Sequence, residues 1–132
     1  MDRVFLDANV LFSAAYRPEG ALSKLWRLRG VTLCSSRHAI EEARANLPEV
    51  AQEKRLLELV RDIEVVDVDA GRLPDGVSLP DKDSPILLAA IEARATHLLT
   101  GDIRHFGPYM NKRVAGFLIQ LPGDYPKAKA QS

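Results

Sequence analysis

The sequence has little of what disulfide-bonded, secreted or membrane-spanning proteins require. Its single cysteine, Cys34, excludes an internal disulfide, and its place in the run VTLC is typical of a small buried residue. The longest apolar run, ILLAAI, is too short to cross a bilayer. Asp2 and Asp7 interrupt the apolar N-terminal run, which argues against a signal peptide. We therefore expect a cytoplasmic protein with no membrane contact.

Net charge and zinc-binding patterns are also absent. Eighteen basic residues balance eighteen acidic ones, which argues against binding of nucleic acid through an overall positive charge but allows a local basic rim. The three histidines, His38, His97 and His105, are scattered and lie far from Cys34 in sequence. These four residues do not have the sequence spacing that is typical of zinc ligands.

What the 132 residues do contain is a regular alternation of strand and helix patterns. Strands are predicted at residues 3–7, where the first strand ends at Asp7, and at residues 31–35, 63–69, 96–100 and 115–121. Helices are predicted at residues 9–16, 21–30, 36–47, 49–62 and 84–95. This alternation predicts an α/β fold, a three-layer α/β/α sandwich with a central parallel sheet. We expect a single domain over residues 1–121 and a flexible C-terminal tail over residues 122–132.

Four carboxylates occupy positions that such a fold brings together. Asp7 and Asp102 follow predicted strands, Asp83 precedes the helix that begins at residue 84, and Glu42 lies in the helix after the second strand. Alone, each has an ordinary explanation, because aspartates cap helices or form turns and a helical glutamate faces solvent. Together they would crowd the carboxyl edge of the sheet and repel one another. A hard cation, Mg²⁺ or Mn²⁺, would relieve that repulsion and could activate water for phosphodiester hydrolysis.

Four further polar residues flank these acids. Asn9 is predicted to orient Asp7 or to touch substrate, and Thr100 to hydrogen-bond a ligating carboxylate. The alternative is that Asn9 satisfies local backbone groups and Thr100 only ends a strand. Arg104 and His105 follow Asp102 and are predicted to meet backbone phosphates at the rim, with ordinary surface placement as the alternative.

Three segments carry a family resemblance. FLDANVLFSA, CSSRHAIEEARANL and DKDSPILLAAIEARATHLLTGDIRHFG resemble the PIN domain, the nuclease fold of VapC-type toxins and related ribonucleases. In that family a serine or threonine at the end of strand two precedes the catalytic glutamate by six residues, and six from Ser36 is Glu42 rather than Glu41. The resemblance thus implies a catalytic, metal-binding quartet of Asp7, Glu42, Asp83 and Asp102. Asp81 is predicted to be a loop or capping residue and not a metal ligand.

The resemblance also implies the order of strands, the chemistry and the partners. The expected PIN-like sheet has strand order 3-2-1-4-5, which makes the strands before Asp7 and Asp102 neighbours. The implied function is endoribonuclease activity dependent on Mg²⁺ or Mn²⁺, as in the toxin of a VapBC-like toxin–antitoxin pair. RNA is the implied substrate, an antitoxin is usual for VapC-like toxins although other PIN proteins have none, and homodimers are common in the family.

Three other interpretations compete. A haloacid-dehalogenase-like phosphatase would have an acid where Asn9 stands and another downstream of GDIRHF, where Phe106 is found. A response-regulator receiver would end its fifth strand with a lysine, which FLIQLPG lacks. A non-catalytic PIN-fold module that binds RNA or protein would be favoured if one of the four acids were missing, and none is.

Overall fold

The computed structural model describes residues 1–68 and 72–131. Within these ranges the strands are β1 (Asp2–Leu6), β2 (Val31–Ser36), β3 (Glu64–Val66), β4 (His97–Leu99), β5 (Arg113–Val114) and β6 (Phe117–Gln120). The α-helices are α1 (Ala8–Tyr16), α2 (Arg37–Asn46), α3 (Val50–Arg61), α4 (Ser84–Glu92), α5 (Ile103–Phe106) and α6 (Asp124–Gln131). None of these helices is long and apolar enough to cross a bilayer.

The strands form one sheet in the order β3-β2-β1-β4-β6-β5. The first five of these pair in parallel, and β5 pairs with β6 in the antiparallel sense. The predicted order 3-2-1-4-5 is confirmed for the predicted strands, the fifth of which is β6. The two-residue β5 was not predicted and extends the sheet by one antiparallel edge strand.

The central strands are buried on both faces, as a sheet between two helical layers must be. Val4, Phe5 and Leu6 of β1 are successive and fully buried, and so are Leu98 and Leu99 of β4. A strand exposed on one face would alternate buried and exposed residues instead. The predicted fold class, a parallel sheet flanked by helices, is therefore confirmed.

The direction of chain travel reverses beside β1. The chain moves from β1 to β2 and β3 on one side, then crosses through α4 to β4 on the other side. The segments that follow β1 and β4 turn away from each other and leave a crevice between the carboxyl ends of these two strands. This topology places the segments after β1 and β4 on either side of one opening.

Two predicted elements differ in the structure. Residues 21–30 were expected to form an α-helix but form a 3₁₀ helix, Ala21–Arg27, in which the Ser23 amide bonds to the Gly20 carbonyl at 3.2 Å and the Ser23 hydroxyl to the same carbonyl at 2.7 Å. This local bonding closes the tighter turn. The third strand was predicted at 63–69 and ends at Val66, while residue 69 lies outside the described residues.

Most of the segment expected to be a flexible tail is helical in the structure. Asp124–Gln131 is helix α6, and the Tyr125 side chain is only 2% exposed. Its hydroxyl donates to Asp2 Oδ2 at 2.6 Å, and its ring meets that of His97 edge-on at 4.8 Å. These contacts to the beginnings of β1 and β4 anchor α6 at the amino edge of the sheet, opposite the crevice.

Candidate metal and nucleic-acid site

Asp7 ends β1 and begins α1. Its Oδ1 accepts a hydrogen bond from the Ala8 amide at 2.6 Å, and its own amide donates to the Leu99 carbonyl at 3.1 Å. The carboxylate is therefore fixed both to the helix that it caps and to β4. At 4% exposure it is buried at the base of the crevice.

A small polar network holds the second oxygen of Asp7. The hydroxyl of Thr100, which is fully buried, donates to Asp7 Oδ2 at 2.7 Å, and Asn9 Nδ2 donates to the same oxygen at 3.2 Å. Asn9 Oδ1 accepts from the Gly101 amide at 2.8 Å, and the Thr100 hydroxyl accepts from the Asp102 amide at 3.1 Å. The network ties the ends of β1 and β4 together and orients the Asp7 carboxylate.

Glu42 lies in the middle of α2. The Ser36 hydroxyl caps this helix by accepting from the Ala39 amide at 3.1 Å, which fixes the helical register relative to β2. In that register Glu42 lines the crevice between β1 and β4, whereas Glu41 lines a separate depression beside β3. The two adjacent glutamates therefore face different surroundings.

Asp83 stands at the start of α4 without capping it. The backbone of Asp83 is helical, with φ −99° and ψ −17°, and its side chain makes no capping hydrogen bond. Pro85 in the first turn lacks the amide hydrogen that a cap would satisfy. The Asp83 carboxylate instead points toward the crevice and is only 8% exposed. The ordinary explanation of Asp83 as a helix cap thus does not account for its side chain.

Asp102 and His105 lie on the short turn after β4. Asp102 Oδ1 accepts from the His105 amide at 3.2 Å, so it caps α5. The His105 ring returns toward the acids, with Nδ1 2.8 Å from Asp102 Oδ2 and 2.9 Å from Asp83 Oδ2. The His105 ring therefore lies between two carboxylates, and its predicted contact with backbone phosphates at the rim stays a prediction. Arg104 is exposed, which fits both the predicted rim contact with phosphates and ordinary surface placement.

These elements enclose a cleft of about 800 Å³. It is lined by all four predicted acids and by Asn9, while Thr100 lies buried behind Asp7. The lining also includes three polar side chains that the sequence analysis did not single out, those of Ser13, Asn46 and Lys82. Helical spacing was the available signal, since Ser13 follows Asn9 and Asn46 follows Glu42 by four residues.

Burial and mutual repulsion oppose the ionised state of the buried acids. Burial raises the pKa of Asp7 to about 6, against the lowering effect of the hydrogen bonds from Thr100 and Ala8, and the charges of Glu42 and Asp83 add to the rise. The pKa of Asp83 is also raised, chiefly by burial, with His105 acting in the opposite direction. The cleft therefore concentrates negative charge that a cation would stabilise.

The acids and His105 offer ligands that suit a divalent cation. One ligand atom each from Asp83, Asp102 and His105 lies within 4.8 Å of the other two. Asp83 Oδ2 is buried and has no hydrogen-bond partner among the described residues. Carboxylate oxygens are the ligands that Mg²⁺ and Mn²⁺ prefer, so the residues present fit such an ion.

Comparison with known proteins agrees with this architecture. A chain in the crystal structure of VapBC2 from Rickettsia felis, bound to a DNA fragment from their promoter, matches with a TM-score of 0.64 and 18% identity. The match covers 89% of this chain and 96% of that chain, and at this identity it shows a shared fold. No significant match exists among curated proteins.

A family model gives the assignment. The model described as PIN domain matches residues 3–104, which include all four acids of the cleft and more than three quarters of the sequence. The match argues against the haloacid-dehalogenase and receiver alternatives, which belong to other families. The chain is a member of the PIN domain family.

Proposed function

We propose that this protein is an endoribonuclease of PIN type that depends on Mg²⁺ or Mn²⁺ and hydrolyses RNA phosphodiester bonds. The observation that carries the proposal is the convergence of Asp7, Glu42, Asp83 and Asp102 on one open cleft. Two of these carboxylates are buried with raised pKa values, a costly arrangement that a bound cation would repay.

In this proposal the four acids hold the ion and the neighbouring residues hold the acids. When bound, the ion would supply an activated water and charge stabilisation at the scissile phosphate. Thr100 and Asn9 fix the Asp7 carboxylate through hydrogen bonds of 2.7 and 3.2 Å, so that it needs no reorganisation to bind. A carboxylate of the cleft accepts the proton that the attacking water loses.

Basic residues near the cleft are proposed to contact the RNA backbone. Lys82 lines the cleft beside Asp83, and Arg104 is exposed on α5 immediately after Asp102. Both cations are placed to attract phosphates to a cleft that is otherwise acidic. The protein has no net charge, so this local pair would provide the attraction that the overall charge does not.

Two substitutions test the chemistry. Asp7→Asn and Asp102→Asn should each reduce Mn²⁺-dependent cleavage of single-stranded RNA by at least about 100-fold, because each removes a negative ligand from the site. Circular dichroism should show that both variants remain folded. Cleavage that persists in both variants, or that proceeds unchanged in excess EDTA, would exclude the mechanism and favour a non-catalytic PIN-fold binding module.

We further propose that the protein is the toxin of a VapBC-like pair and has an antitoxin partner. The shared fold with a chain of the VapBC2 complex supports this assignment. Expression of the wild-type chain should arrest growth, and co-expression of the product of the neighbouring reading frame should restore it. Absence of arrest by an active nuclease would contradict the toxin role while leaving the nuclease role intact.

A further inference from the structure

His105 has contacts that an ordinary hydrogen bond does not explain. Its Nδ1 atom lies 2.8 Å from Asp102 Oδ2 and 2.9 Å from Asp83 Oδ2, and the side chain is 19% exposed. An imidazole nitrogen carries at most one hydrogen, so it donates well to only one of these oxygens. The bond goes to Asp102, which leaves the buried Asp83 Oδ2 without a hydrogen-bond partner among the described residues.

The distances from His105 Nδ1 to the two carboxylate oxygens are close to those between neighbouring ligands around one ion. Metal–ligand bonds of about 2.1 Å in octahedral geometry separate adjacent ligand atoms by about 3.0 Å. The two measured separations from Nδ1, 2.8 and 2.9 Å, are close to that value. When the ring hydrogen of neutral His105 is on Nε2, Nδ1 has a free lone pair, and Nδ1 and Asp83 Oδ2 are then two preformed ligands.

The backbone fixes this arrangement. Asp102 accepts from the His105 amide at 3.2 Å, which sets the position of both residues on the first turn of α5. The next side chain, Phe106, is fully buried and anchors the same turn in the core. The fixed turn thus places the His105 side chain within reach of Asp83.

We propose that His105 is itself a ligand of the divalent ion, through Nδ1, together with Asp83 and Asp102. This inference rests on the proposed metal-dependent function and extends it, because the site then combines oxygen ligands with one imidazole. Imidazole suits first-row transition metals, whereas Mg²⁺ prefers oxygen ligands throughout. The site should therefore favour Mn²⁺ over Mg²⁺ more strongly than the acids alone would.

Pulsed electron paramagnetic resonance of bound Mn²⁺ tests the ligand directly. The purified wild-type protein with Mn²⁺ should show ¹⁴N modulation typical of a coordinated imidazole. His105→Ala and His105→Gln should lose that modulation and weaken Mn²⁺ binding by roughly tenfold or more, a loss seen even for residues that only orient a ligand. His38→Ala, which changes an exposed histidine of α2, should leave both the modulation and the affinity unchanged.

The outcomes separate this inference from the function on which it rests. Mn²⁺ binding to the wild type without imidazole modulation, or modulation that survives in both His105 variants, would overturn the ligand role and leave the metal-dependent nuclease standing. Such a result would make His105 a counterion that the metal displaces. Absence of any Mn²⁺ binding by the folded wild-type protein would overturn both. Competition with Mg²⁺ should show that the preference for Mn²⁺ narrows at least about threefold in His105→Gln.

Discussion

The three aspartates of the cleft have different local surroundings although their proposed role is the same. Asp7 and Asp102 accept hydrogen bonds from the first turns of α1 and α5, so part of their stabilising effect is helix capping. Asp83 has no such bond, and its Oδ2 lacks a hydrogen-bond partner among the described residues. Substitution of Asp83 therefore reports on the site more cleanly than substitution of the other two.

Asp83→Asn should leave the metal-free protein as stable as the wild type or more stable by about 1 kcal/mol, since it removes a buried negative charge beside Asp102. The same change should abolish the rise in melting temperature that Mn²⁺ gives the wild type by binding the native state. Thermal melts with and without Mn²⁺ measure both effects.

Asp81→Asn is the matched control, because Asp81 is exposed two residues away and should keep the full response to Mn²⁺. An Asp83→Asn protein whose melting temperature rises with Mn²⁺ as much as that of the wild type would remove Asp83 from the metal site.

Glu42 and Glu41 provide a second matched pair. Successive helical residues point about 100° apart, and only Glu42 lines the cleft with the aspartates. Glu42→Ala should reduce RNA cleavage at least about tenfold more than Glu41→Ala does, because only Glu42 is proposed to bind the ion. Initial rates at saturating Mn²⁺ give the comparison. Equal losses would show that the register of α2 does not select Glu42.

At the scale of the residue, the sequence predicted which acids meet but not how His105 is oriented. Asp7 and Asp102 follow buried strands, and the topology of an α/β sheet brings such positions to one edge. The direction of the His105 ring depends on its rotamer and on the turn that Asp102 caps, which spacing alone does not determine. A rim position and a position between two carboxylates are equally compatible with the motif GDIRH.

At the scale of the element, α6 shows how a distant contact decides the structure of a segment. Residues 122–132 contain glycine, proline and charged side chains, a composition typical of a frayed end. Tyr125 nevertheless bonds to Asp2, 123 positions earlier, and its ring packs against His97. Pro126 lies in the first turn, where a helix tolerates proline. No local pattern in the sequence predicts the contact between Tyr125 and Asp2.

Tyr125→Phe should lower the free energy of unfolding by about 1 kcal/mol at pH 7, because it removes a hydrogen bond to a partly buried carboxylate. That bond is the main reason that the pKa of Asp2 is lowered. A lowered pKa stabilises the fold above the unfolded value and the effect is lost as pH falls, so the cost of the substitution should shrink near pH 3.

Urea unfolding followed by the fluorescence of Trp26 measures the effect, and Tyr16→Phe, at a more exposed tyrosine of α1, is the control. RNA cleavage should not change in Tyr125→Phe, since α6 lies at the edge of the sheet away from the cleft. Identical unfolding of wild type and variant would mean that α6 adds nothing to stability through this bond.

The edge strand β5 was not predicted from the sequence, for a different reason. It has only two residues, too few to show the alternation that identifies a strand. The turn to β6 consists of Ala115 and Gly116, with φ values of 50° and 92°, whereas asparagine or aspartate before glycine is the usual signal for such a hairpin. The positive φ of Ala115 is imposed by the pairing of Val114 with Phe117 and is not a preference of alanine.

At the scale of the whole molecule, the parallel sheet determines where the acids meet. β1 lies in the middle of the sheet, between β2 and β4. The chain builds β2 and β3 on one side of β1 and later β4 and β6 on the other side, so the strand order reverses at β1. Asp7 is therefore adjacent to Thr100 and Asp102 after β4 and close to Glu42 after β2. Strand–helix alternation predicted only a parallel sheet, and the family resemblance implied the order of its strands, which brings the four acids to one edge.

A buried acidic site should leave a signature in the pH dependence of stability. Because the native pKa of Asp7 is raised to about 6, the native state of the metal-free protein holds this proton more tightly than the unfolded chain does. The associated stability is present below about pH 4, the ordinary value for aspartate, and is lost as pH rises through about 6. The loss from this one group amounts to up to about 3 kcal/mol.

Asp2 and Glu64 have lowered pKa values and act in the opposite direction, so the signature is measured as a difference between two proteins. In EDTA, the stability of wild type minus that of Asp7→Asn should fall between pH 4 and pH 7, because only the wild type ionises at position 7. Chemical denaturation at each pH gives the two free energies. With saturating Mn²⁺ the fall should disappear or reverse, since the ion binds the ionised carboxylate of the native state alone. A difference in stability that stays constant across this pH range in EDTA would mean that Asp7 ionises as easily in the folded protein as in the unfolded chain. The cleft would then lack the electrostatic repulsion that is proposed to favour metal binding.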